Sequence, residues 1–510
     1  MYFTSIKSGS ISFLITVCLA LPCLGQVAQL DRYELILENR FGVENPQVTS
    51  LANEGILVQR RIKGKTKDQL ELIKLDTTLK ENWRGVITVE KNLSVAMVVA
   101  RDQVVYMLLR SIAYGNFDFT VIAMDISSRG YRSYLVKNLI PFNPTDFSIS
   151  TNAILIGGYF NYRPVVLHFS FASGRSRLLP GFFNDLGEIN QIKIYDDGLV
   201  DIIVSTRNIQ RKKVLLIRSY TPEGDLIQAT TLEGGLDKNL IFGKSLRTQD
   251  GALIIAGSFG VRNIEFSRGI FTTTVIPGDK SVLKFYNFSD LENFFKFMRP
   301  KRESWVLARI EKRKQKGKQN RKSYRFLPHE LQQHGNEFLL LGEVYFPRYT
   351  YANPYGFFGG NSIYSGSTVR GERIFDGYRY THAPVIGFDR NGKLTWDNSF
   401  EMNDIKTFTL NQYVRLSSKD DRLGMLYLFE NELRSKTIQR NQVVEGKSTN
   451  VLKSKYEDDI VREKDTESST LEYWYDPYFY AYGIQFVRGS KDGKNDLGRK
   501  VLFINKVKFQ

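Results

Sequence analysis

The chain has 510 residues, a formal charge of +17 and two cysteines, Cys18 and Cys23. Between Lys296 and Arg325 stand thirteen Lys or Arg against two Glu, a local net of 13 − 2 = +11 that leaves +6 for the rest. A nucleic-acid-binding domain spreads its basic residues over a reading surface, so charge concentrated in one segment argues against that class.

Residues 1–25 carry one lysine, Lys7, then an apolar core from Ile11 to Leu21, then Pro22 and the small Gly25. This is the layout of a secretory signal peptide, too short to span a bilayer. Cleavage is expected after Gly25, with Ala28 as the alternative. Both cysteines fall inside this leader, so the mature chain has no disulfide, thiol nucleophile or thiolate metal site. No other apolar stretch reaches the ~18 residues of a membrane span.

From Gly55 onward one unit recurs: a polar turn, an apolar strand, a variable loop, a second strand and another turn. The apolar strands begin near Gly55, Gln103, Ala153, Leu199, Gly251, Asn336 and Asp421, with a weaker one at Tyr478. The turn residues are spaced by 47, 50, 45, 53, 85, 85 and 56 residues. β-branched and aromatic residues punctuated by Asp, Asn and Gly predict strands, and neither helical periodicity nor βα alternation appears. A period near 50 residues with about four strands per unit predicts an all-β fold, a β-propeller of eight four-stranded blades, with seven as the alternative. The apolar strands, with Gly157, Gly158 and Gly257, are expected innermost. The strand Arg32–Phe41 is expected to complete the last blade beside Arg499–Phe509, hiding the sheet edge. The domain is expected to run 26–510.

The two 85-residue steps mark insertions, and insertions in repeats collect on one face. The first, 289–323, opens with Ser289 and Glu292 as a capping box, places Leu291, Phe294, Phe295 and Met298 on one helical face, and breaks at Pro300. A second helical stretch, with Val306 and Ile310 inward, leads to a basic run. Its candidate binding residues are Lys312, Arg313, Lys314, Lys316, Lys318, Arg321 and Lys322, which would attract an acidic protein or an anionic envelope polymer. The second insertion, 346–381, is rich in Tyr and Gly. Tyr349, Tyr351, Tyr355 and Tyr378, with Tyr473, Trp474 and Tyr475 near the C-terminus, are candidates for stacking on glycan or peptide. The polar segment 445–470 reads as a mobile linker.

Chemistry-bearing motifs are scarce. His329 and His334 stand five apart, where two zinc ligands on one helix face need four. His168 lies mid-strand and reads as structural; His382 opens a strand without a partner. No G-x-S-x-G elbow, phosphate loop or calcium loop occurs. No metal or cofactor is expected and the catalytic residues are unassigned, although carboxylates gathered from different blades would be invisible in sequence.

The segment Phe388–Asp397, with Asp389, Gly392 and Trp396, is similar to the turn-and-tryptophan repeat of quinoprotein-type propellers; Asp76 and Trp83 keep the same spacing without the glycine. The stretches Phe375–Glu401 and Leu471–Phe486 resemble a family of uncharacterised exported β-propeller-like proteins of Gram-negative bacteria. That resemblance implies export to the periplasm or cell surface and carries no functional residue over. The reading is a binding or scaffold module of the cell envelope, without nucleic acid and without a transmembrane span. The alternative is a propeller enzyme acting on polysaccharide, of glycosidase or lyase type.

Overall fold

A strand of β-branched and aromatic residues presents alternate side chains to opposite sheet faces. When both faces are apolar, the sheet must be covered on both sides. The computed structural model describes residues 27–509 apart from 38–41, 114, 116, 183–185, 262–263, 277–280, 352–372, 403–404, 463–464 and 490–497. It meets that demand with eight four-stranded antiparallel blades in a propeller ring. Blades 1 to 7 are meanders over 47–89, 93–136, 143–178, 187–232, 239–287, 325–401 and 415–451. Blade 8 takes Thr466–Tyr475, Tyr478–Val487 and Arg499–Phe509 from the C-terminus and Val27–Ile36 from the N-terminus. A short strand, Lys406–Thr407, adds to blade 6.

The core is eight separate apolar layers, one at each junction between neighbouring blades. The second and third strands of each blade sit deepest in these layers. In blade 5 the second strand, Leu253–Gly260, is buried along its whole length. The eight apolar strands legible in the sequence are these second strands, not the innermost ones. The first strands are innermost, since those of successive blades touch one another. They are less apolar because one edge faces the axis rather than a partner strand; Leu93–Arg101 of blade 2 is only half-buried throughout. Gly257 has the packing reason expected of it: a Cβ there would stand 1.9 Å from the Phe242 carbonyl oxygen on the first strand. Two-residue turns with both residues left-handed close the hairpins at Asp102–Gln103 (φ 49° and 62°) and Asn161–Tyr162 (φ 49° and 61°).

Closure lies five residues nearer the N-terminus than expected. The strand is Val27–Ile36, and it pairs with Arg499–Phe509 from Val27 opposite Phe509 to Ile36 opposite Val501. Arg32 and Glu34 project from the same face of this strand, 2.7 Å apart and each 4% exposed in its side chain. Arg499 donates to Glu34 at 3.2 Å and to Asp459 at 2.6 Å. Arg32 also donates to Gln485 Oε1 (3.0 Å) and lies 5.0 Å from the Phe503 ring centroid. Across the junction to blade 1, buried Trp474 donates its indole N–H to the Gly55 carbonyl at 3.1 Å. Of the polar segment 445–470, residues 445–451 belong to the strand Gln442–Val451 and 466–470 to Thr466–Tyr475.

Replacing Arg32 with leucine leaves Glu34 buried with one cation fewer. The expected cost is about 2–3 kcal/mol, read as a lower denaturant midpoint at unchanged slope. A midpoint equal to wild type would show that closure does not depend on this contact.

Candidate functional site

In an antiparallel meander, the connection between blades and the loop joining second to third strands leave from the same rim. Both insertions fall at such places, one between blades 5 and 6 and one inside blade 6. They therefore rise from one face of the ring.

The first insertion is seated by apolar contacts and one carboxylate. After the strand Lys284–Asn287, the 3-10 turn Phe288–Asp290 is closed by a capping box of Asn287 and Asp290, two residues upstream of the expected Ser289–Glu292 pair. Residues 291–299 do not form the expected helix, but Leu291, Phe294 and Phe295 are buried against Tyr324, Phe326 and blade 6. The Asp397 carboxylate, 3% exposed, accepts the backbone N–H groups of Glu292 and Asn293 at 2.8 Å each. Burial pushes the Asp397 carboxyl above its ordinary value, against the pull of those two donors. Ser399 Oγ donates to the Asn293 carbonyl at 2.8 Å.

Pro300 begins a helix rather than ending one. It occupies the first turn of α1 (Pro300–Gln315), where its missing N–H has no helical partner to lose. Val306 and Ile310 are buried, as their spacing predicts. Trp305 stays exposed, with the Arg309 guanidinium 5.4 Å from its ring. Gly317 (φ 62°) ends the helix in the left-handed conformation. Arg313 is used structurally, donating to the Gln319 carbonyl at 2.9 Å. Lys314 lies 3.6 Å from Asp290. Lys312, Lys316, Lys318 and Arg321 are exposed and Lys322 is half-buried; none of these five makes a salt bridge among the described residues.

Between this loop and blade 5 lies a cavity of about 680 Å³. Lys212, Lys238, Arg268, Lys314 and Lys318 line it against Asp237 and Asp290. Burial and the neighbouring Arg321 and Arg313 charges push the Arg268 guanidinium below its ordinary value. The sequence reading reached Lys314 and Lys318 but not Arg268, Lys238 or Lys212. Those three come from separate loops, and nothing local distinguishes them from other surface cations.

The second insertion is the tip of a hairpin. The strands Glu337–Tyr351 and Arg373–Phe388 extend past the blade and pair as far as Tyr351 opposite Arg373. Tyr349 is 49% exposed, and Tyr378 is half-buried against Tyr345 and Phe375. Tyr355 and the side chain of Tyr351 lie outside the described residues. Tyr473 is exposed, whereas Trp474 is committed to the junction with blade 1 and Tyr475 accepts a hydrogen bond from Lys506 at 2.9 Å.

The histidines divide between structure and surface. His168 is buried, 3.0 Å from the Pro222 carbonyl through Nε2, and burial lowers its pKa. His382 is fully buried, stacked on Phe297 at 4.0 Å and edge-on to Phe294 at 4.7 Å. Burial pushes its pKa down to about 3. His329 and His334 lie on a strand, not a helix; His329 faces the buried Glu343 at 3.3 Å. On the opposite rim, His334 Nδ1 is 2.7 Å from Ser418 Oγ in a cavity of about 820 Å³ that also holds Glu337, Asp420 and Asp421. Among the described residues no carboxylate orients His334, so a triad is not assembled. No group of three His, Cys, Asp or Glu fit for a metal occurs among the described residues, and no helix there is long and apolar enough to cross a membrane. Near the axis Glu330 is engaged by Lys244 (2.5 Å) and Gln191 (3.2 Å), not by a second carboxylate.

No family model and no curated protein matches this sequence. Among solved structures, the chain is similar to the polysaccharide lyase Uly1 (TM-score 0.41, 10% identity, covering 81% of this chain and 89% of that one). It is also similar to the β-propeller domain of the Trilobed protease from Pyrococcus furiosus (TM-score 0.37, 9% identity, 80% and 98% covered) and to the Dos1 propeller (0.38, 11%, 79% and 88%). At these scores no function transfers, and the architecture rests on this chain's own sheet order.

His382 yields a signed pH dependence. Its folded pKa lies below the unfolded value of about 6.5, so its stabilisation is fully present above that pH and is lost as pH falls toward about 3. Wild-type stability should fall by about 2 kcal/mol between about pH 6.5 and pH 5 from this residue alone. In His382→Phe, which keeps the ring packing, the slope of unfolding free energy over that interval should drop by one proton. An unchanged slope would show that His382 does not titrate as a buried neutral ring.

Proposed function

We propose that this chain is an exported propeller acting as a binding module of the cell envelope, which holds an acidic protein partner on the rim bearing the insertions. Export is supported by the leader-like residues 1–25, and placement in a Gram-negative envelope by the family resemblance of the C-terminal half. The observation that carries the binding reading is the division of labour within the basic insertion. Its seat is made by Phe288, Leu291, Phe294, Phe295, Val306 and Ile310 and by Asp397. The cations Lys312 and Lys316 take no part in that seat. A rigidly mounted cluster of exposed like charge steers an anionic partner and fixes its orientation.

The test uses the mature chain with polyglutamate as a model acidic partner, beside a Lys312→Glu/Lys316→Glu/Lys322→Glu variant. Wild type should bind at low salt and weaken at least about tenfold toward physiological ionic strength, where the Debye length is about 8 Å. The variant should lose binding while unfolding at the wild-type midpoint. Binding indifferent to salt, or retained by the variant, would overturn the reading.

A further inference from the structure

We propose that the cavity between the basic loop and blade 5 is an oxyanion site for a phosphate-class group, built around Arg268, Asn320 and Lys318. The inference rests on the insertion rim being an anion-binding face, but it uses different residues from the partner surface on α1.

Three observations converge. Arg268 anchors the loop by donating through Nη1 to the Asn320 carbonyl, while its buried Nε–H has no acceptor among the described residues. Asn320 is oriented by the Lys322 N–H, which its Oδ1 accepts at 3.3 Å, and this leaves its Nδ2 as a second buried donor with no acceptor among the described residues. Both unmatched donors belong to residues that line one cavity, and the charges around them specify the sign of an acceptor. Lys238 and Lys318 line the same cavity and pair with no carboxylate among the described residues, Lys238 lying 4.6 Å over the Phe285 ring. Of the two acids present, Asp290 accepts from the Asn287 backbone and side chain, at 3.1 and 2.8 Å, and meets Lys314. Asp237 is the remaining acid at the wall. A planar guanidinium with an adjacent amide and two ammonium groups matches the several acceptor oxygens and double charge of phosphate better than a single carboxylate. The cavity of about 680 Å³ has more room than one oxyanion fills, so the group arrives either as the free ion or carried on a larger molecule.

The experiment is calorimetric titration of the full mature chain with inorganic phosphate and with glucose 6-phosphate, using chloride at matched ionic strength as the comparator. Phosphate should bind and raise Tm, and chloride should not. Lys318→Glu should weaken phosphate at least about tenfold, and Asn320→Leu should do the same without added charge. Lys312→Glu, on the solvent face of α1, should leave phosphate binding within about twofold. Arg268→Lys tests the guanidinium itself; if it unfolds the loop, the other variants still decide. Tighter glucose 6-phosphate binding assigns the spare volume to a phosphorylated sugar, and equal binding assigns the site to the free ion. No heat and no Tm shift with either ligand, or equal stabilisation by chloride, overturns the site even if polyglutamate binds. Normal phosphate binding with no polyglutamate binding keeps the site and removes the partner reading.

Discussion

The whole ring depends on one pairing, the N-terminal strand on the C-terminal strand. Each apolar layer lies between two blades, so no blade is stable alone and the eighth layer exists only if the circle shuts. Val27–Ile36 completes blade 8 and brings Leu35 into the layer shared with Ile56, Val58, Leu75, Trp474 and Ile504. The polar half of that closure is unusual in composition. Arg32, Glu34, Arg499 and Asp459 come from the first strand, the last strand and the connection before blade 8. Burying such charges costs desolvation, so the network adds little net stability over an apolar pair. What it does supply is register, because a slip of one residue would put Arg32 and Glu34 on the wrong face.

A closed ring is stiff, and its rims are where chain can be added without disturbing the layers. Both long additions use that freedom, yet they are mounted differently. The basic insertion is fastened along its length, through a buried aromatic cluster, the Asp397 carboxylate and a strand bridge between Ser267 and Tyr324. The hairpin of blade 6 is fastened by its own ladder and, at its stem, by the short strand Lys406–Thr407 opposite Tyr378 and Arg379 and the Lys406–Asp376 pair, with an aromatic cluster of Tyr345, Tyr349, Phe375 and Tyr378 alongside. Partner steering needs the first kind of mounting, since charges fixed relative to the ring keep their mutual geometry during an encounter.

The sequence was legible where local chemistry and tertiary environment agree. Second and third strands are covered on both faces, so continuous apolar runs such as Ala153–Ile156 and Leu253–Ala256 announce them. First strands were missed because Gln191, Lys193, Lys244 and Glu330 interrupt them toward the axis, and alternation with charge looks like loop. Turn chemistry was readable even without glycine: Leu79 takes the left-handed place (φ 58°) while Asp76 accepts the Thr78 and Lys80 N–H groups. Pro300 was misread because the same residue that stops a helix from within also starts one at its first turn, and only the surrounding packing decides. Trp474, which its tyrosine-rich neighbours suggested as an exposed stacking residue, is buried and turned inward by a partner 419 residues away.

The basic run raises the question of whether its charge is merely a solvated surface. A solvated tip requires that each cation reach water, and most of the run satisfies this. Arg268 does not belong to the run, and it turns a charged surface into a charged enclosure. Its guanidinium binds the loop through one nitrogen and has another nitrogen buried, and its pKa is lowered first by burial and then by the Arg321 and Arg313 charges. Were loop anchoring its sole role, a neutral donor would hold the Asn320 carbonyl without gathering like charges. The local excess of cation is therefore better explained by an anion that completes the site than by the fold, which Asp397 and the phenylalanines already hold.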